Sequence, residues 1–362
     1  MAKFLSVKQA AEKLGINAHT LRRWDRDGKF TSVRHPVNNY RVYTEEQVNI
    51  LIKEMEPAYQ LEPYDTKQSP TAYHKTEYGS LYNIDAIELL RSLPNNSIDL
   101  IIADPPYNIG KAEWDIFPSQ NFYLEWTNQW INESYRVLTT RGSMYICGFS
   151  EILADIKYTT SKGFHSCKWL VWFYRNKANL GNDWGRSHES ILHLRKSRNF
   201  IFNIDEVRIP YNEHTIKYPN RSQAVTSQYG NGKSYDWVPN PKGAKPKDVF
   251  EIPTISNSSW EKTLHPTQKP IELISKLILA SSNQDSIIVD PFGGSGTTYM
   301  IADVLKRNWI GSEINTDYCS LIIDRLEDME ERLILGSQIN DPSLVERRLK
   351  LRGDVKSPII RQ

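Results

Sequence analysis

Two segments of this 362-residue chain echo each other, and they restrict the fold more than anything else in it. Ser97 to Pro106 reads SIDLIIADPP, and Ser286 to Gly296 reads SIIVDPFGGSG. Each is an unbroken apolar run closed by Asp-Pro. Strands with one wet face alternate apolar and polar residues, so unbroken runs predict strands buried on both faces of a mostly parallel sheet. In such α/β sheets ligands bind beyond the carboxyl ends of the strands, at the switch point. Asp104 and Asp290 are both expected there.

The second segment continues as Gly293-Gly294-Ser295-Gly296-Thr297-Thr298 into an apolar helix. Glycines let the backbone turn tightly and let a ligand approach closely. The G-x-G-x-x-G spacing of a dinucleotide site is absent. The following strand, RNWIGSE, ends in Glu313. It lies about twenty residues past the glycine turn, where a doubly wound fold places a carboxylate on ribose hydroxyls.

The first segment runs on as Asp104-Pro105-Pro106-Tyr107. An exocyclic amine on a base is a poor nucleophile, because its lone pair is delocalised into the ring. Acceptors for its two N–H bonds let the nitrogen move toward tetrahedral, and a carboxylate plus a fixed carbonyl supply them. Asp104 offers the first. Pro106 restricts Pro105 and pins its carbonyl, which offers the second. Tyr107 is suited to stacking on a base flipped out of a duplex. On the tetrapeptide alone, a rigid turn with Tyr107 in the core is equally open.

Together, DPPY and DPFGGSGTT resemble the amino-methyltransferase branch of DNA methyltransferases, in the beta arrangement where the catalytic motif precedes the cofactor motif. Further blocks fit in order. GSLYNIDAIELLRSLPNNSIDLII resembles the lead-in, SYRVLTTRGSMYIC the helix and strand after the catalytic loop, and WFYRNKANLGNDWGRSHESILHLRKS the loop and strand lining the target pocket. HPTQKP, from His265 to Pro270, resembles the motif that helps enclose the cofactor. The similarity covers about residues 78–325.

This resemblance implies a doubly wound, Rossmann-like methyltransferase sheet in circularly permuted motif order, with S-adenosylmethionine as cofactor. The catalytic residues it implies are Asp104, Pro105, Pro106 and Tyr107. Implied cofactor contacts are Asp85, His265, Thr267, Lys269, Asp290, Phe292, Gly293, Gly294, Ser295, Gly296, Thr297 and Glu313. The lead-in departs from the family pattern: Asn83-Ile84-Asp85 stands where a glycine often precedes the aspartate, which weakens the case for Asp85. Cytosine C5 methylation needs a cysteine nucleophile after proline, and the chain has no Pro-Cys dipeptide.

The N-terminus carries a separate signal. Ser6-Val7-Lys8-Gln9 reads as a capping box with Leu5 as staple residue, and Val7, Ala10, Ala11 and Leu14 recur at helical spacing. Gly15 stops that helix, and Asn17 can cap a second one from Ala18 to about Trp24. Leu21 and Trp24 would face inward, leaving His19, Thr20, Arg22 and Arg23 for a DNA groove. A hairpin over Thr31–Arg34 and Tyr40–Tyr43 follows, then a second box, Thr44-Glu45-Glu46-Gln47. The stretch resembles the winged helix of mercury-resistance-type regulators and excisionases, which implies DNA contacts by those residues and Arg41. A helical module that binds protein is the alternative.

The predicted domains are the winged helix (1–56), a linker (57–79), the catalytic half (80–199), a target-recognition region (200–262), the cofactor half (263–327) and a charged helical tail (328–362). Basic residues cluster over His19–Arg41 and Arg208–Lys247 although net charge is only +2, which suggests two faces toward a polyanion. In the recognition region they interleave with Tyr218, Tyr229, Tyr235 and Trp237, suiting phosphate and base contacts; a surface insertion is the other reading. The tail reads as one helix with Ile322, Leu326, Met329 and Leu333 in a stripe. Cys147, Cys167 and Cys319 are far apart, no metal set can be assembled, and His265 has no companions at ligand spacing.

The expected activity is methylation of adenine N6 in a specific double-stranded DNA sequence, probed by base flipping, within a restriction–modification system. Adenine is preferred because family members acting on cytosine N4 more often begin the motif with Ser than with Asp; cytosine N4 is the second choice. A transcription regulator with a degenerate methyltransferase body is the rival, opposed by the intact Asp104, Tyr107, Gly296 and Glu313. A cytoplasmic protein with no membrane segment is expected, with a cognate endonuclease and a homodimer as candidate partners.

Overall fold

The computed structural model describes residues 3–13, 18–35, 38–55, 70–160, 163–176, 182–224, 226 and 233–340. The chain divides into two compact units, Met1–Lys67 and Gln68–Gln362.

The first unit comprises β1 (Phe4–Ser6), α1 (Val7–Lys13), α2 (Ala18–Arg26), β2 (Val33–Arg34), β3 (Arg41–Thr44) and α3 (Glu45–Met55). Both capping boxes form. Ser6 N donates to Gln9 Oε1 at 2.9 Å and Gln9 N returns to Ser6 Oγ at 3.3 Å. Thr44 and Gln47 repeat the exchange at 3.0 and 3.1 Å. The strands pair antiparallel in the order β1-β3-β2, with Val33 opposite Val42 and Leu5 opposite Tyr43. Leu5 therefore lies in a strand that local patterning did not reveal, because its partner is thirty-eight positions away. Leu21, Tyr43 and Val48 are buried with Ala10 and Ala11, and Trp24 packs against them. Gly15 and Asn17 lie outside the described residues.

The second unit begins with β4 (His74–Lys75), β5 (Gly79–Tyr82), α4 (Ala86–Ser92), β6 (Ile98–Ala103), α5 (Gln120–Val137), β7 (Leu138–Gly148) and α6 (Ser150–Thr160). It continues with β8 (Ser166–Phe173), β9 (His188–Arg195), α7 (Glu213–Lys217), β10 (Arg221–Gln223), β11 (Tyr235–Trp237) and β12 (Val249–Glu251). It closes with α8 (Ile271–Ser281), β13 (Ile287–Asp290), α9 (Thr297–Val304), β14 (Asn308–Ser312), α10 (Thr316–Glu327) and α11 (Met329–Asn340). β4 falls inside the stretch expected as linker, and β12 inside the expected recognition region.

A nine-stranded sheet runs β12-β8-β9-β7-β6-β13-β14-β5-β4. Its centre, β7-β6-β13-β14-β5, is parallel throughout. β9 and β4 run antiparallel to it. Alternate residues of β6 enter two cores: Leu100 and Ile102 meet α8, α9 and α10, while Ile101 and Ala103 meet α4, α5 and α6. Helices thus cover both faces, as an unbroken apolar run requires. The expected doubly wound sheet is what forms.

The tail is not one helix. Asp328 ends α10, and its Oδ1 accepts from Glu331 N at 2.9 Å, so α11 starts anew there. Ile322 and Leu326 are buried but Met329 is exposed, so the single expected stripe is broken. α11 is tied back by Arg332 on Asp303 at 3.0 Å.

Candidate active site

From β6 the chain crosses to β7 on one side, and from β13 it crosses to β14 on the other. β6 and β13 are neighbours, with Ile101 opposite Val289. That is a topological switch point, where connections diverge and leave a crevice beyond the strand ends. A cavity of about 910 Å³ occupies it. All expected catalytic and cofactor residues line it except Gly296, which sits just behind the lining.

After β6 the chain forms a pinned loop. Asp115, buried, accepts four backbone N–H bonds: Tyr107 at 2.6 Å, Asn108 at 2.7 Å, Ile109 at 3.2 Å and Lys111 at 2.9 Å. Asn108 takes a left-handed φ of 56°, which asparagine tolerates, and its Oδ1 accepts from Phe117 N at 3.0 Å. Tyr123 Oη donates to the Pro106 carbonyl at 3.0 Å. Among the described residues the Pro105 carbonyl has no such partner. Of the two proline carbonyls it is therefore the one free to receive an amine.

Asp104 is held on both sides. Its Oδ1 accepts from Tyr107 Oη at 2.8 Å, and its Oδ2 meets Lys269 Nζ at 2.6 Å. Lys269 is buried and also lies 3.8 Å from Glu189, whose Oε2 is 3.5 Å from Tyr107 Oη. Burial opposes the charge on Lys269, but Asp104 and Glu189 outweigh it and raise its pKa. The Tyr107 hydroxyl is pushed well up by burial and then by the two carboxylates, so it stays a donor. Its ring meets Phe149 edge-on at 5.2 Å, with Lys269 Nζ 5.4 Å from the centroid. Lys269, which the motif resemblance implies as a cofactor contact, lines the cavity and reaches the Asp104 carboxylate.

The other half of the cavity is the turn after β13. Gly294 and Gly296 take φ of 53° and 72°. A Cβ on Gly294 would lie 3.1 Å from the His265 ring, and one on Gly296 would lie 2.9 Å from Ile322. Only glycine meets both demands there. Buried Arg325 of α10 braces the turn from behind, donating to the Ser295 carbonyl at 2.6 Å and pairing with Glu331 at 2.7 Å. Glu313 accepts from Gly294 N at 2.7 Å and Asn315 N at 2.8 Å, one per oxygen. Burial raises its pKa, against the pull of those N–H groups. Each of its oxygens keeps a lone pair for a ligand.

Asp290 is buried and pushed up to about 8 by that burial, against hydrogen bonds from Thr298 and Phe292 N. His265 is lowered to about 4 by burial, with Asp104 opposing, so it is neutral. Its ring stacks near Trp114 at 6.1 Å and meets Tyr318 edge-on at 4.6 Å, while its Nδ1 and Trp114 Nε1 have no partner among the described residues. Asp85 caps α4, accepting from Ile87 N at 2.8 Å with Oδ1. Phe292 packs on Trp126 and Trp130. Asp115, Glu189, Trp114 and Arg325 escaped sequence reasoning; only Glu189 sits in a block with a pocket assignment.

A family model described as DNA methylase matches residues 98–324, most of the second unit. The chain belongs to this DNA methylase family. The model of the MerR helix-turn-helix regulatory proteins matches residues 5–53. The Type II methyltransferase M.HpaI of Haemophilus parainfluenzae is 33% identical over 284 residues, 77% of this chain and 81% of that protein. The DNA adenine methyltransferase YhdJ of Escherichia coli is 34% identical over 249 residues, 67% of this chain and 81% of that protein. Among solved structures, the cytosine-N4-specific PvuII DNA methyltransferase superposes with a TM-score of 0.55 at 19% identity, covering 75% of this chain and 95% of that one. That likeness concerns the fold.

The DNA methylase cavity suits S-adenosylmethionine on its own features. A buried carboxyl group with no cationic side chain paired to it among the described residues, Asp290, answers to a cationic ligand; Glu313 keeps lone pairs for a diol; the glycine turn admits a ligand to its backbone. In the MerR-like unit, Arg22 and Arg23 are exposed on α2, and the side chains of His19 and Thr20 lie outside the described residues. Arg41 pairs with Asp25 at 3.4 Å, which ties the wing to α2. Among the described residues no helix is long and apolar enough to cross a membrane.

Proposed function

We propose that the chain methylates adenine N6 at a specific sequence in double-stranded DNA, in the cytoplasm, as the modification enzyme paired with a restriction endonuclease. The observation that carries this reading is the Asp104 carboxylate beside the free Pro105 carbonyl, at the switch point shared with the glycine turn. S-adenosylmethionine supplies an electrophilic methyl group. Glu313 would hold its ribose, Asp290 its positive charge, and His265 with Phe292 would close over it.

The chain's own residues then act on the amine. Asp104 accepts one N–H with a lone pair not used by Tyr107 or Lys269, and the Pro105 carbonyl accepts the other. The nitrogen lone pair is thereby released from the ring. As the N–C bond forms and the methyl leaves its sulfur, the nitrogen becomes cationic, and its surplus proton passes to Asp104. Tyr107 and Lys269 keep that carboxylate from rotating. The DNA-facing parts would be Arg22 and Arg23 of the winged helix and the basic stretch Arg208–Lys247.

Asp at the head of the motif and the name of the Escherichia coli relative support adenine. Cytosine N4 is the second reading, since the chemistry of an exocyclic amine is common to both bases. Mass spectrometry of hydrolysed DNA after incubation with protein and cofactor tests this. N6-methyladenine is expected, and Asp104→Ala should form at least about 10²-fold less while still binding cofactor. Methylcytosine alone would reverse the choice of base.

A further inference from the structure

We infer that Trp184 is the side chain that enters the duplex and fills the gap left by the flipped base. The inference rests on the proposed action on DNA and adds the element that keeps the base out of the stack.

Trp184 is 97% exposed, more than any other large apolar side chain among the described residues. Leaving so much indole in water forgoes the burial that normally places tryptophan in a core or an interface. One exposed apolar residue is ordinary by itself, so its position matters. β8 runs in the same direction as β7 and β6, so the end of β8 and the start of β9, between which Trp184 falls, lie at the same end of the sheet as the loop after β6. Two residues on, the Arg186 guanidinium rests 3.8 Å over the Phe149 ring and pairs with Glu151 at 2.6 Å. Phe149 lines the cavity and meets Tyr107 edge-on at 5.2 Å. The chain spans at most about 7 Å between residues 184 and 186, so Trp184 stands at the rim of the base subsite.

It is on the rim and not inside, since it does not line the cavity. A residue stacking on the flipped base would have to line it; Tyr107 and Phe149 do. Trp184 instead leaves its ring in solvent, free to enter a duplex whose flipped base occupies the cavity. A flipped nucleotide leaves a gap about two base steps of roughly 3.4 Å each between its neighbours, which an aromatic ring fills by stacking on both. Leu264, nearly as exposed, adjoins His265 on the cofactor side and is less well placed.

The test uses the full chain and a duplex carrying the site that sequencing of methylated DNA identifies. A second duplex carries an abasic position opposite the target, so that base leaves the stack at little cost. Trp184→Ala should lower kcat/KM about tenfold or more on the paired duplex and less than about threefold on the abasic one, and Trp184→Phe should keep most activity on both. A 2-aminopurine at the target position should brighten less with Trp184→Ala than with wild type. Equal losses on the two duplexes, or none, would overturn the role of Trp184 alone. Wild-type protein that methylates no DNA would overturn the proposed function and this inference with it.

Discussion

Asp104 and Asp290 close adjacent strands, β6 and β13, yet their charges are handled in opposite ways. Asp104 has a cation built in: Lys269 arrives from a segment 165 positions away and touches Oδ2 at 2.6 Å. Asp290 is more deeply buried, has no cationic side chain paired with it among the described residues, and has Asp104 and Glu313 as charged neighbours. An unpaired buried carboxylate is costly and responds by holding its proton. The proposed function accounts for the difference. On that reading Asp104 has to be in place before a neutral base enters, so the fold supplies its counter-ion, whereas the counter-ion of Asp290 would be brought by a cationic ligand.

Removing the built-in cation is the harshest way to break this contrast. Lys269→Met keeps the length but leaves Asp104 and Glu189 facing each other unpaired. We expect methyl transfer to fall about 10²-fold, with cofactor affinity within about twofold of wild type. Some stability, a few kcal/mol, should go as well, since half of a buried pair is worse than none. Label transfer and titration calorimetry on the same preparation separate the two effects. Were affinity to fall as far as rate, Lys269 would serve the cofactor, as its motif implied, and the contrast would collapse.

Glu313→Gln sharpens the cofactor side. The amide keeps one acceptor oxygen but turns an NH2 toward either Gly294 N or Asn315 N. Charge-assisted hydrogen bonds to the ribose are lost too, so cofactor affinity should fall roughly tenfold to a hundredfold. At saturating cofactor the rate should largely recover, because ribose binding is common to ground and transition states. Calorimetry showing unchanged affinity would make Glu313 a brace for the glycine turn only.

Sequence reading went furthest where the determinants are local. Both capping boxes, the two strands ending in Asp-Pro and the glycine turn are written within a few residues of themselves. Leu5 in β1 and the new start at Asp328 were not visible, since one needs its partner strand and the other competes with an apolar stripe. Lys269 shows the deeper limit. Its motif placed it correctly in the cavity, but which half it serves depends on where β6 ends in space. Asp115 is similar: a lone carboxylate in the sequence, it becomes the anchor of the loop after β6 only once four backbone N–H groups converge on it.

The smallest expected effect concerns Asp290 and pH. In the unfolded chain this carboxyl ionises near 3.8, and in the folded, ligand-free protein burial moves it to about 8. Between those values folding takes up a proton, so its contribution to stability falls as pH rises through that window. A cationic ligand reverses the preference and expels the proton. Cofactor affinity should therefore rise from pH 7 to pH 8 by roughly fivefold, then level off, with close to one proton released per cofactor bound near pH 7. Calorimetry in buffers of different ionisation enthalpy reads that proton directly. Asp290→Asn should abolish the release, weaken binding and flatten the stability profile of the ligand-free protein. An unchanged proton count in Asp290→Asn would mean that another group, with Glu313 the first to examine, titrates in its place.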